Sequence, residues 1–321
     1  MSSGRTALIT GISGQDGSYL AEALRARGYQ VTGTTHRKDL ADASSTAYLS
    51  LSDDRQIEDL VKRGQFDEIY NLAARASSAQ LFDDPLSTAD INGLAVIRFL
   101  QAVNKYSPQT RFCQASTSEI FGANTTSPYV EDSPRQPINA YAAAKAFADH
   151  MVQAYRTSHG LFACSAILFS HESPRRSTHF VVRKVCRAAA AVSLGIPHTL
   201  TLHNLDAVRD WGFAPDYVEA MRLMLQAEKP CDYVVATGEA HSVRDLCEMA
   251  FGYVGVQWQD HVEVDGIEDR HSVGRIGNAA RIENDLGWRP TISFDKMVAS
   301  VVDADRTVLA HEDSILQSND V

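Results

Sequence analysis

The 321 residues contain no Lys/Arg-rich run, no cysteine pair at metal or redox spacing and no long apolar stretch. Each absence removes a class of function. Setting 30 basic side chains against 40 acidic ones leaves a formal charge of −10, so the chain lacks the electrostatic grip on which nucleic-acid binding rests. The cysteines Cys113, Cys164, Cys186, Cys231 and Cys247 are odd in number and widely spaced, with no C-x-x-C. That pattern speaks against a disulfide framework or a zinc knuckle and for small core residues. None of the 11 histidines falls in an H-x-x-x-H or comparable spacing, so no metal site is expected. The opening MSSGRTALITG has no basic segment followed by an apolar one, and no run of about 18 apolar residues occurs. A cytoplasmic protein without a membrane partner is the expectation.

What is present is enough apolar material, 44% of residues against 22% charged, to bury a sizeable core. Residues 6–10 form a short apolar run, followed at once by a glycine-punctuated turn and a helical pattern in Tyr19, Leu20, Ala23 and Leu24. The same alternation continues: strands over 30–34, 68–72, 112–116 and 164–169, helices over 55–62, 86–106 and 141–157. Repeated βα units with short connections predict an α/β fold, a doubly wound parallel sheet of Rossmann type over 1–169. Beyond residue 169 the regularity loosens around Pro174, Pro197, Pro215 and Pro230, with helices over 180–191, 216–226 and 242–251. Residues 170–321 read as a smaller α+β cap, with room for some segments to return to the sheet.

Gly11, Gly14 and Gly17 form T-G-x-x-G-x-x-G directly after the first strand. Glycines there permit a tight turn, close approach to a pyrophosphate and close packing of the helix, whose N-terminus faces the anion. An ordinary βα turn is the plainer reading of the same residues. At the end of the second strand, where an acidic residue would bind the adenosine ribose, stand His36, Arg37 and Lys38. Positive charge at that point favours the 2′-phosphate of NADP, although Asp39 and Asp42 follow and a solvated loop tip would look alike. Tyr141 and Lys145 lie four apart at the start of a predicted helix, so both project from one face. A cation at that distance is expected to lower the phenol pKa and let tyrosinate accept a hydroxyl proton. Thr117, Ser118 and Glu119 follow the strand over 112–116, at the carboxyl edge where open α/β sheets bind ligands.

With these residues in view the sequence resembles the GDP-mannose 4,6-dehydratases, a branch of the extended short-chain dehydrogenase/reductases. The likeness is carried by ALITGISGQDGSYLAEAL, YNLAA, QASTSEIFG, YAAAK, ILFSHESPRR, VVRK, NLDAVRDWGFAPDYVEAMRLMLQ, YVVATGEAHSVRDL and LGWRP, which span nearly the whole chain. The resemblance implies NADP as cofactor, held by Gly11, Gly14, Gln15, Asp16, Gly17, Arg37, Lys38, Leu72, Ala73, Ala74, Tyr141 and Lys145. It implies a GDP-linked hexose as substrate: GDP-mannose becomes GDP-4-keto-6-deoxymannose by oxidation at C4, elimination of water across C5 and C6, and return of the hydride to C6. Thr117 would bond the sugar 4-hydroxyl, Tyr141 would be the oxidation base, Lys145 would hold the nicotinamide ribose, and Glu119 would take the C5 proton. Ser118, Ser170, Lys184, Arg209 and Arg270 would contact the nucleotide sugar, with Arg176 a further candidate.

The chain departs from the family pattern at Ser170, His203 and Val208. Over 270–274 (RHSVG) the family carboxylate is missing. A homodimer through the helices over 86–106 and 141–157 is implied, and a 37–53 loop shorter than the family's leaves a tetramer undecided. Two other readings share parts of this set. A nucleotide-sugar 4-ketoreductase or epimerase would use Tyr141 and Lys145 but has no evident use for Glu119. An NADP-binding sensor or scaffold would need none of Thr117, Glu119, Tyr141 and Lys145.

Overall fold

The structure, a computed structural model, describes residues 4–42, 45–76, 84–122, 127–266 and 274–319. The chain opens with β1 (Thr6–Thr10), α1 (Gln15–Ala26) and β2 (Gln30–Thr35). A short β3 (Thr46–Tyr48) leads to α2 (Asp54–Gly64), which Asp53 caps by accepting from the Arg55 and Gln56 amides. Next come β4 (Glu68–Asn71), α3 (Pro85–Ala89), a π turn (Asp90–Leu94), α4 (Ala95–Tyr106), β5 (Arg111–Ala115), α5 (Ala140–His159) and β6 (Ala163–Leu168). The remainder comprises β7 (Ser170–Glu172), α6 (Val181–Ser193), β8 (Leu200–Leu202), β9 (Val208–Arg209), β10 (Trp211–Phe213), α7 (Ala214–Met224) and β11 (Tyr233–Val235). Then follow β12 (His241–Ser242), α8 (Val243–Tyr253), β13 (Val262–Val264), α9 (Ala280–Leu286) and α10 (Phe294–Asn319).

Seven parallel strands form the central sheet in the order β11-β6-β5-β4-β1-β2-β3. The order reverses between β1 and β4, which makes the crevice at their carboxyl ends the natural ligand site of such a sheet. Period-two alternation assigns the two faces. Leu8, Ile69 and Phe112 pack with Ile57, Val61, Phe99 and Val152 on one side, and Ile9, Tyr70 and Cys113 with Leu20, Leu24 and Met221 on the other. A third core joins α6, α8 and α10 through Val182, Cys186, Leu246, Phe251, Val298 and Val302.

Two expectations change. The 37–53 segment, read as loop, contains the edge strand β3, paired in parallel with β2 from Gly33 opposite Thr46. The helix read as unbroken over 86–106 contains the π turn, which swings Asn92 inward. Asn92 accepts from the Arg75 amide at 3.0 Å and donates to its carbonyl at 3.1 Å, which anchors the chain after β4 at Arg75. Among the described residues no helix is long and apolar enough to cross a membrane.

Candidate active site

The β1–α1 turn is pressed against the loop after β4. Gly11 has φ +70°, and a Cβ on it would stand 3.0 Å from the Ala73 Cα. One on Gly17 would stand 2.3 Å from the Gly11 carbonyl oxygen, so a side chain there would push α1 off the turn. Gly14 is the N-cap of α1, its amide donating to the Gly11 carbonyl at 2.9 Å. The Thr10 hydroxyl accepts from the Leu72 and Ala73 amides, each at 3.0 Å, and donates to Asn71 at 2.8 Å. Asn71 in turn donates to Gln114 at 2.7 Å, so a buried polar chain ties β1, β4 and β5 together. Ala74 follows, exposed. A turn stripped of side chains at the N-terminus of a helix fits the pyrophosphate of a dinucleotide.

Gln15 and Asp16 bind this turn to β7. The Gln15 amide donates to the His171 carbonyl at 3.1 Å and accepts from Ser173 at 2.7 Å, while Asp16 meets the His171 Nε2 at 2.9 Å. Burial disfavours both charges, yet their attraction prevails, holding the Asp16 pKa below the usual carboxylate range and raising that of His171. After β2, Arg37 is engaged with Asp39 at 2.6 Å and the Lys38 ammonium lies 5.2 Å from the Tyr48 ring centroid.

At the carboxyl end of β5, Thr117 caps a 3-10 turn (Ser118–Phe121), its hydroxyl accepting from the Glu119 amide at 3.2 Å. Ser118 is buried in that turn. Asn139 caps α5 by accepting from the Ala142 amide at 2.8 Å and donates to Glu119 Oε2 at 3.5 Å, so one side chain joins the 3-10 turn to α5. Tyr141 stands in the first turn of α5, near enough to Thr117 for that hydroxyl to favour its phenolate. One turn on, Lys145 is 2% exposed. Its ammonium donates to the Ala115 carbonyl at 2.7 Å and lies 5.9 Å from the Tyr141 ring centroid. Asp149, another turn on, accepts from Ser116 at 2.6 Å, and burial pushes its carboxyl up to about 6. Thr117, Glu119, Tyr141 and Lys145 therefore gather at the carboxyl end of β5, separated by the single strand β4 from the β1 that leads into the glycine turn.

The expected lowering of the Tyr141 pKa by Lys145 does not hold in this geometry. Burial pushes the phenol up to about 12, against the nearby Thr117 hydroxyl and the more distant charge of Arg176, which both favour the phenolate. Lys145 is directed at a backbone carbonyl, and burial lowers its own pKa to about 8.

The substrate candidates are more dispersed. Ser170 opens β7 opposite Trp211 of β10. Lys184 is exposed in the first turn of α6. Arg209 is half-buried on β9, opposite His241 of β12 on one side and Arg275 on the other. Arg270 lies outside the described residues. Arg176, whose guanidinium stacks 3.4 Å from the Phe180 ring centroid, bears electrostatically on Tyr141. Two residues escaped the sequence reading. Asn139 carried a visible signal, as a capping residue two positions before Tyr141. Arg275 carried none: it is 6% exposed and forms an ion pair with Glu119 across 156 residues of chain.

A family profile described as GDP-mannose 4,6 dehydratase matches residues 8–301. The chain belongs to that family. Among curated relatives, the Arabidopsis thaliana GDP-mannose 4,6 dehydratase 1 is 41% identical, covering 96% of this chain and 91% of its own length. The Homo sapiens GDP-mannose 4,6 dehydratase is 39% identical, covering 93% and 91%. Solved structures with the same Rossmann-type fold include the UDP-glucose 4-epimerase of Thermus thermophilus in complex with NAD, at TM-score 0.82 and 26% identity over 94% of this chain and 99% of that one. The Thermotoga maritima UDP-glucose 4-epimerase with UDP-glucose superposes at TM-score 0.85, with 20% identity over 95% and 99%.

Proposed function

We propose that this chain is a lyase that converts GDP-mannose into GDP-4-keto-6-deoxymannose with NADP as cofactor. Residues 1–169 hold the cofactor and the catalytic groups, and 170–321 mainly the nucleotide sugar. Membership of the dehydratase family supports the reaction, and the observation that carries it is the carboxylate of Glu119 beside the Thr117–Tyr141 pair. Oxidation of an alcohol needs one proton acceptor; elimination needs a second. Five unpaired thiols are in keeping with a cytosolic setting.

Tyr141 takes the proton of the C4 hydroxyl while Thr117 orients that oxygen. The nicotinamide cofactor, when bound, supplies acceptance of a hydride from C4 and its later delivery to C6. Lys145 holds the cofactor ribose and keeps a positive charge near the phenolate. Once C4 is a ketone the C5 proton is acidic, and Glu119 removes it as the C6 hydroxyl leaves as water. Arg209 and Lys184 suit the diphosphate, Ser118 and Ser170 the sugar, and Arg270 the nucleotide. Incubation with GDP-, UDP- and dTDP-hexoses and mass detection of water loss tests this reading; it stands if GDP-mannose loses water and falls if none of the sugars does.

NADP(H) is expected to bind more tightly than NAD(H) by about tenfold or more, through charge-assisted contacts of Arg37 and Lys38 with the 2′-phosphate. Arg37 must trade its pairing with Asp39 for that contact, so Asp39→Asn is expected to widen the preference and the double variant Arg37→Ala, Lys38→Ala to erase it. Fluorescence titration of both cofactors decides; equal affinities in the unaltered protein would refute the assignment.

The protein is further read as a homodimer. Leu86, Leu94 and Phe147 are 83%, 43% and 40% exposed on the helical segments 85–106 and 140–159, which pack side by side. Leu86→Asp combined with Phe147→Glu is expected to yield monomers by light scattering at low micromolar concentration. A dimer that survives both changes places the contact elsewhere.

A further inference from the structure

Glu119 sits in a short turn that could aim its carboxylate in several directions, yet the structure holds it at both oxygens. Arg275 Nη2 is paired with Oε1, and Asn139 Nδ2 approaches Oε2 at 3.5 Å. Arg275 Nη1 also donates to the Gly122 carbonyl at 3.3 Å, so one guanidinium grips both the carboxylate and the far end of the 3-10 turn. The backbone carrying Arg275 is itself fixed on two sides. The Ile276 carbonyl accepts from the Tyr129 amide at 2.8 Å, and the Gly277 amide donates to the buried Asp210 at 3.1 Å. Asp210 accepts in addition from Thr237 and Gly238, and it directly follows Arg209, whose strand bridges to Arg275. A buried cation held this firmly against a half-exposed carboxylate is a support built into the site.

We infer that Arg275 is the positioning residue for elimination: it holds Glu119 Oε1 so that Oε2 faces the C5 proton of the substrate. This rests on the dehydratase reading. The step balances as follows. Glu119 Oε2 accepts the C5 proton and the C5–H electron pair becomes the C5–C6 double bond. The C6–O bond breaks, and the departing hydroxide takes the proton from Glu119 to leave as water. Glu119 is again a carboxylate paired with Arg275. Oxidation at C4 draws on Tyr141 and Thr117 and needs no contribution from Arg275, so the two stages separate experimentally.

The test uses the holoenzyme with GDP-mannose and compares Arg275→Met, Arg275→Lys, Glu119→Gln and the Glu119→Gln, Arg275→Met double variant, after circular dichroism has shown each to be folded. Arg275→Met is expected to lower kcat for water loss about ten- to hundredfold, the scale of a misplaced reacting group, with KM within about twofold. During the first turnover it should accumulate absorbance of reduced nicotinamide, because C4 oxidation outruns elimination. Arg275→Lys, which keeps the charge, should recover part of kcat, and the double variant should be no slower than Glu119→Gln alone. Equal slowing of C4 oxidation and water loss, or full additivity in the double variant, overturns the assignment while leaving the dehydratase reading intact. If Arg275→Met does not fold, the Arg275→Lys comparison decides by the same split between oxidation and elimination. Absence of water loss in the unaltered chain overturns the dehydratase reading and this inference together.

Discussion

Tyr141→Phe is expected to reduce dehydration of GDP-mannose by about 10²- to 10⁴-fold, the usual cost of losing a positioned base, while cofactor affinity stays within about twofold. Phenylalanine keeps the ring and its packing at the start of α5 and removes the atom proposed to take the C4 proton. The electrostatics of the site add a pH signature. In the proposed mechanism the reactive free enzyme pairs tyrosinate with the Lys145 ammonium, and burial displaces these groups in opposite directions, the phenol up to about 12 and the ammonium down to about 8. Below about 8 the reactive form grows about tenfold per pH unit as the phenol gives up its proton. Above that, loss of the ammonium cancels the gain. Steady-state kcat/KM is therefore expected to climb to about pH 8 and then level, and a flat profile from about pH 6 to pH 8 would exclude the pairing.

Legibility from sequence follows how local each feature is. The β1 strand, the glycine turn and the opening of α1 declare themselves within twenty residues, because steric demands at Gly11 and Gly17 act between chain neighbours and the adjacent loop. Tyr141 and Lys145 were readable because i and i+4 share a helix face, and Thr117 and Glu119 because they end a strand. The edge strand β3 has three residues, too few to show alternation. The helix α10 hid for a different reason: its apolar stripe of Met297, Val298, Val301 and Val302 continues into Asp305, a buried carboxylate that pairs with Arg183 at 2.6 Å. An acidic residue on the inner face reads as a break in the pattern until its partner is known. Arg275 and the direction of the Tyr141 shift belong to the same class, since both arise from packing between segments far apart in the chain.

Glu119→Gln is expected to abolish water loss, with a residual rate about 10²- to 10⁴-fold below that of the unaltered enzyme, because an amide of the same shape cannot accept the C5 proton. The proposed roles leave C4 oxidation to Thr117, Tyr141 and Lys145, so a first-turnover burst of reduced nicotinamide should remain. Isotopes then separate dehydration from the reductase alternative. The original C5 proton departs in the water, so the proton that C5 regains as the hydride reaches C6 comes from solvent by way of the Glu119 carboxylate, which is 30% exposed. Turnover in D₂O should therefore place deuterium at C5 of the product. Label introduced at C4 should reappear at C6, because that hydrogen leaves and returns without meeting water. A 4-ketoreductase has no such internal transfer and consumes NADPH in proportion to product. Loss of the C4 label to solvent, or a stoichiometric requirement for added NADPH, would remove Glu119 from the role of second base and with it the reason for a carboxylate at this position.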